Sequence, residues 1–202
     1  MMIDVKQISQ LHRDMVVRWH AQDVDNPSFG FLALVCAQHG YNFRLWHEED
    51  SARCPEAIDR TIANVKRAID KLNQKRNDAI EKLDDWIADA MIDRETVIEE
   101  GARLNTETPA SVIDRLSILS LRIYHLEEQL DREDACPQHI ESVGRKLTVC
   151  YVQQSDLTNS LTELLADIFA GRKRHRVYRQ FKMYNDPSLN PYLYTRETKM
   201  VG

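Results

Sequence analysis

The chain has 202 residues, of which 43% are hydrophobic and 29% charged, with only six glycines and six prolines. That length supports a buried core, and so little Gly and Pro argues against an all-β or disordered chain. The net charge of −5 and the lack of a known module disfavour a nucleic-acid binder, and the longest apolar run, FGFLALVCA from Phe29, is too short for a membrane span.

The first segment repeats Ile8, Leu11, Met15 and Trp19 at steps of three and four, which predicts a helix with one apolar face. The preceding MMIDVKQISQL lacks a basic region followed by an apolar one, so no export signal is expected. DVDNPS from Asp23 is turn-forming, and a second helix is predicted from near Ser28. Its stripe runs through Phe29, Leu32, Cys36, Gly40, Phe43, His47 and Asp50 to a break at Cys54-Pro55.

A third, long helix carries Ile58, Ile62, Val65, Ile69, Leu72, Arg76, Ala79, Leu83 and either Trp86 or Ile87 in a heptad-like seam that fades near Met91. Thr108 followed by Pro109 reads as the N-cap and first position of a fourth helix. Its buried face is predicted from Ile113, Leu116, Ser120, Ile123 and Leu130. Cys136-Pro137 opens a fifth, and Gly171 reads either as its stop or as a weak point before RKRHRVYRQFK. No convincing strand and no repeat is present. The expected fold is all-α, an antiparallel bundle of about five long helices in one domain. The widely spaced Cys36, Cys54, Cys136 and Cys150 contain no CxxC pair and predict reduced, mostly buried thiols in a cytoplasmic protein.

Charge is unevenly spread. Residues 171–202 carry a formal charge of about +6 and the remainder about −11. The basic extension is expected to dock on the body through Val177, Phe181 and Tyr184. Its turns would then set Asn185 and Asp186 over a pocket mouth.

Three stretches interrupt the helical pattern with polar groups. In LWHEEDSAR from Leu45, a His and carboxylates one turn apart can share a metal ion or relay a proton. The plainer explanation is a core His47 bonded to Asp50. In IDKLNQKRNDAIEKLDD from Ile69, Asn73, Asn77 and Asp78 are poor helix residues, each roughly 0.5 kcal/mol or more worse than Ala, which asks for a reason beyond a solvated face. NTETPASVIDRLSIL from Asn105 adds Glu107, Asp114, Arg115 and Ser117, much of it explained by helix capping. Further along, His125 and Glu128 form a single HxxE pair, reversed from the di-metal bundle spacing.

These stretches together with KMYNDPSLNPYLY resemble the bacterial family catalogued as domain of unknown function 4254, over most of the chain from Trp19 to Tyr194. The resemblance implies an all-helical bacterial protein and points to a sugar-phosphate context. It supplies no activity. A looser similarity is to the all-helical nucleoside triphosphate pyrophosphohydrolases, which hold Mg²⁺ with acids on two facing helices. The nearest matches here are Glu48 to Asp50 and the set Asp78, Glu81, Asp84, with His47 standing where an acid would be.

The expectation is a pocket for a phosphorylated sugar or nucleotide. Catalytic roles fall to His47, Glu49 and Asp50, and ligand contacts to Trp46, Arg53, Asn73, Arg76, Asn77, Arg115, Asn185 and Asp186. Mg²⁺ would sit on Asp78, Glu81 and Asp84 in a metal-dependent hydrolase. The alternative is a non-catalytic binding or adaptor protein whose polar networks are structural. His47, Asp50, Asn73, Arg76 and Asn77 are expected to share one pocket. A straight hairpin at Pro55 would misplace His47 and Asn73 by roughly 15 Å at 1.5 Å per residue, which the linker must absorb.

Overall fold

The computed structural model describes residues 3–181, 183 and 186–193. It is an all-α bundle of five long helices: α1 (Val5–Ala21), α2 (Gly30–Ala52), α3 (Asp59–Asp93), α4 (Pro109–Leu130) and α5 (Pro137–Phe169). Helix α2 lies along α3 and α4 along α5, and α1 packs against α2, α4 and α5. The core between them is built from the predicted faces, including Ile8, Cys36, Phe43, Leu83, Ile87, Ile113, Leu116 and Leu161.

The start signals act as their chemistry requires. Asp4 accepts a hydrogen bond from the Lys6 amide at the head of α1. Thr108 accepts from the Ser111 amide at the head of α4, with Pro109 in the first turn. Gly171 follows α5 at φ +76°, and a Cβ there would fall 2.0 Å from the Val97 carbonyl oxygen. Only glycine fits that approach.

Four expectations need correction. Helix α3 is about 52 Å long against about 35 Å for α2, at 1.5 Å per residue, and its first turns overshoot the end of α2. Ile58 and Ile62 are therefore exposed, and burial starts at Val65, which meets Leu45 and Ile69. Second, Arg103–Leu104 (β1) pairs in parallel with Lys173–Arg174 (β2). Two residues are too few to carry a period, so neither strand shows in the hydrophobic pattern. Third, the cysteines are free, but Cys54 and Cys136 are exposed and only Cys36 and Cys150 buried. Each exposed one stands at a helix break before proline.

The fourth correction concerns the extension, which lies on the body through polar contacts. His175 Nε2 lies 2.8 Å from the Asp84 carbonyl oxygen and donates to it. Lys173 reaches Asn105 at 3.0 Å. Arg179 spans Glu81 and Asp85, and Glu81 also accepts from the Gln180 amide. Phe181, expected to be buried, is 85% exposed. Tyr184 and Asn185 lie outside the described residues.

Candidate functional site

The middle of α2 interrupts its apolar run with Gln38, His39 and Asn42, all buried. They face Asp114 and Ser117 on α4. Asp114 accepts from Gln38 Nε2 at 2.6 Å, Asn42 Nδ2 at 3.0 Å and Arg76 Nε at 2.7 Å. Arg76 Nη2 also donates to its second oxygen, so the guanidinium grips the carboxylate with two prongs. That bond holds the Arg76 guanidinium more firmly protonated than usual.

The network continues inward. Asn42 Nδ2 also donates to Ser117 Oγ at 2.9 Å, and Ser117 Oγ lies 2.7 Å from His39 Nδ1. His39 Nε2 lies 3.0 Å from the His12 carbonyl, which can only accept. His39 therefore carries its proton on Nε2, and Ser117 donates to Nδ1. Burial pushes the His39 imidazole down to about 3. His12 stacks near it at 4.6 Å and is pushed well below its usual value, first by burial and then by His39. Both rings are neutral.

Above this network lies a cavity of about 390 Å³ between α2, α3 and α4. Asn42, Leu45, Trp46, Glu49, Asp50, Arg53, Asn73, Arg76, Ile118 and Leu121 line it. The overhang of α3 through Asn64 absorbs the offset that a straight hairpin would leave, so Asn73 and Arg76 stand level with Trp46 to Arg53. Two kinds of polar group meet here. Arg76 is held from below by Asp114, and Arg53 reaches Glu49 on its own helix at 2.6 Å. The side chains of Asp50 and Asn73, and the Nη1 donor of the Arg76 guanidinium, make no hydrogen bond among the described residues.

The structure thus brings together Trp46, Glu49, Asp50, Arg53, Asn73 and Arg76. Several other sequence-predicted residues lie elsewhere. His47 borders a separate groove with Phe43, Arg44, Lys71 and Lys75, because the α2–α3 contact leaves a groove on each side. Its ring is not bonded to Asp50; it turns toward His20 and His125 at 5.2 and 5.8 Å between centroids. Burial and those two imidazoles lower its pKa. Asn77 is half-buried one turn beyond Asn73 but does not reach the cavity. Arg115 pairs with Glu107 at 3.0 Å and faces α5. Asp186 accepts from the amide and hydroxyl of Ser188 in its own turn and is absent from the lining. Asn185 lies outside the described residues.

The three acids expected to hold Mg²⁺ do not converge. Asp78 is exposed and bonded to Gln74 at 2.7 Å. Glu81 receives Arg179 and the Gln180 amide. Asp84 is buried and accepts from the Ala110 amide at 3.1 Å and from Thr108, so it serves as a second cap for α4. Burial raises its carboxyl above the usual range. A wider cleft of about 600 Å³ beside β1 and β2 holds none of the predicted residues.

The sequence pattern passes over Gln38, His39 and Asn42, and singles out Asp114 and Ser117 without a role in the site. Gln38, His39 and Asn42 show as three polar residues inside the apolar stretch LVCAQHGYNF, off the predicted stripe through Cys36, Gly40 and Phe43.

No curated protein and no solved structure matches the chain. The family model described as "Protein of unknown function (DUF4254)" matches residues 32–177, a span that covers nearly all of α2, the whole of α3, α4 and α5, the cavity lining, and the network beneath it apart from His12. By that match over more than half its length, the chain belongs to the DUF4254 family.

Proposed function

We propose that this protein binds a small polyhydroxylated ligand, a sugar or a sugar-bearing nucleotide, in the cavity between α2, α3 and α4. One observation carries the reading. The lining combines the Trp46 ring with Asp50, Asn73 and Arg76 Nη1, whose hydrogen-bonding capacity is open, over a network whose capacity is largely used. Pockets with an apolar wall and a few oriented polar groups are the usual setting for small ligands. Hydroxyl groups suit acceptors such as Asp50, donors such as Arg76 and amides such as Asn73, while the ring supports the apolar face of a sugar. Both arginines already hold a carboxylate, so hydroxyls rather than a lone phosphate are the primary recognition element.

Metal-dependent hydrolysis is less well supported. The cavity's acids, Glu49 and Asp50, are consecutive on one helix, and α3 contributes an amide and a guanidinium instead of a facing carboxylate. The buried network favours one further reading, in which Arg76 and Asp114 set the register of α2, α3 and α4 with no ligand at all.

A thermal-shift screen of free sugars, sugar phosphates and nucleotide sugars tests the proposal. A ligand at a hundred times its Kd adds about 2.7 kcal/mol to stability, roughly 5–10 °C in Tm for a chain of this size. Asn73→Ala should weaken the responding ligand about tenfold or less, the worth of one hydrogen bond, and Trp46→Ala more. Arg115→Ala, outside the cavity, should leave it unchanged. Arg76→Ala is a poor probe, because it strands a buried carboxylate at a cost of about 3–5 kcal/mol. A panel without a single shift would leave the register reading standing.

A further inference from the structure

We propose that His20, His47 and His125 form a binding site for a divalent cation of the zinc type. The three come from α1, α2 and α4, and their candidate ligand atoms all lie within 4.8 Å of one another. The site goes beyond the sugar reading and does not rest on it.

The hydrogen bonds around the rings prepare them as ligands. His20 Nδ1 lies 2.7 Å from the Val16 carbonyl oxygen, which only accepts, so the proton is on Nδ1 and the Nε2 lone pair is free. His125 Nδ1 lies 2.7 Å from Glu128 Oε2, with the same consequence. A carbonyl or carboxylate behind a ring nitrogen is the arrangement that orients metal-binding imidazoles and raises their basicity. His125 Nε2 is buried and has no partner, and a buried nitrogen left unpaired calls for a ligand or a reason. His47 makes no ring hydrogen bond among the described residues, so either of its nitrogens is available.

The surroundings fit a cation as well. Glu128 and Asp50 both place negative charge near His47. Trp46 stacks on His125 at 4.8 Å and Tyr124 on His20 at 4.2 Å, which supplies an apolar wall and restrains both rings. An all-imidazole set selects zinc, cobalt, nickel or copper over magnesium and calcium, which want oxygen. In a tetrahedral site with Zn–N of about 2.0–2.1 Å, the nitrogens sit roughly 3.3 Å apart. The three rings must therefore draw in by at most about 1.5 Å, within reach of small side-chain rotations, and a fourth position stays open for water or a ligand atom.

The test is titration of chelator-treated full-length protein with Zn²⁺, Mg²⁺ and Co²⁺, in a background carrying Cys54→Ser and Cys136→Ser. Zn²⁺ should bind one to one and raise Tm, Mg²⁺ should do neither, and Co²⁺ should give the visible absorption of a tetrahedral site. His20→Ala and His125→Ala should each weaken Zn²⁺ at least a hundredfold with helicity unchanged. Glu128→Gln, a positioning change, should weaken it ten- to a hundredfold, and His139→Ala should have no effect. Should a variant misfold, the unaltered histidines give an independent readout: Zn²⁺ should shift the ring resonances of three of the seven histidines. Absence of stoichiometric Zn²⁺ binding would overturn the site. So would binding that the histidine changes leave intact, or binding that needs Cys54 or Cys136.

Discussion

His39 is enclosed on both edges, with Ser117 donating to one nitrogen and the His12 carbonyl accepting from the other. A second proton on Nδ1 would turn the Ser117 hydroxyl away and place a charge where no water reaches. His12, buried beside it with neither ring nitrogen paired, resists protonation for the same reason. The sign of the linkage follows. Both folded-state values lie below the unfolded 6.5, so the unfolded chain binds more protons once pH falls under 6.5. Stability is complete above that pH and declines on acidification down to the folded values, about 3 for His39. At about 1.4 kcal/mol per pH unit, His39 should cost roughly 2 kcal/mol between pH 6.5 and 5, and His12 shifts stability in the same direction. Urea midpoints measured at pH 7, 6 and 5 should fall accordingly, and His39→Gln should flatten the decline. Equal midpoints across that range would mean that the rings are protonated in place.

The head of α4 joins a local signal to a distant one. Thr108 and Pro109 were readable because capping is a matter of neighbours in sequence. Asp84, one element away, was not: a carboxylate on α3 that caps another helix leaves no mark in either stretch alone. Thr108→Ala should cost about 1 kcal/mol. Asp84→Ala, which strands the buried Ala110 amide, should cost about 1–3 kcal/mol. Because the two side chains are bonded, their losses should fall short of adding by at least about 0.5 kcal/mol. Denaturation of both single variants and the double variant checks this, and strict additivity would dissolve the shared cap. The same distinction governs the cavity. Steps of three and four revealed that α2 and α3 carry polar interruptions, and Asp50, Asn73 and Arg76 do meet. They did not reveal that the arc from Phe43 to Asp50 is split between two grooves, which is why His47 parts from its neighbours. That depends on how far α3 slides along α2, which is set by packing along both helices, from Leu45 with Val65 and Ile69 to Phe31 on Trp86.

Across the whole molecule, opposite charge brings the extension to the body, but single ion pairs set its course. Arg179 sits where Glu81 and Asp85 converge, and such exposed pairs weaken with salt. The more consequential contact is the pairing of Lys173–Arg174 with Arg103–Leu104, sealed at Gly171 against Val97 and through the Glu99 amide, which donates to the Gly171 carbonyl. The link between α3 and α4 thus borrows its order from residues about seventy positions later. Its amides should exchange with solvent as one cooperative unit with the extension, at an opening free energy below that of the helices. Deuterium uptake at residues 99–104 should rise when the chain is cut after Arg172, while α2 and α4 keep their protection. A link that stays protected after the cut would make the two segments independent. During synthesis the dependence has a direction: the α3–α4 link waits, unsettled, until the strand that completes it, Lys173–Arg174, has left the ribosome.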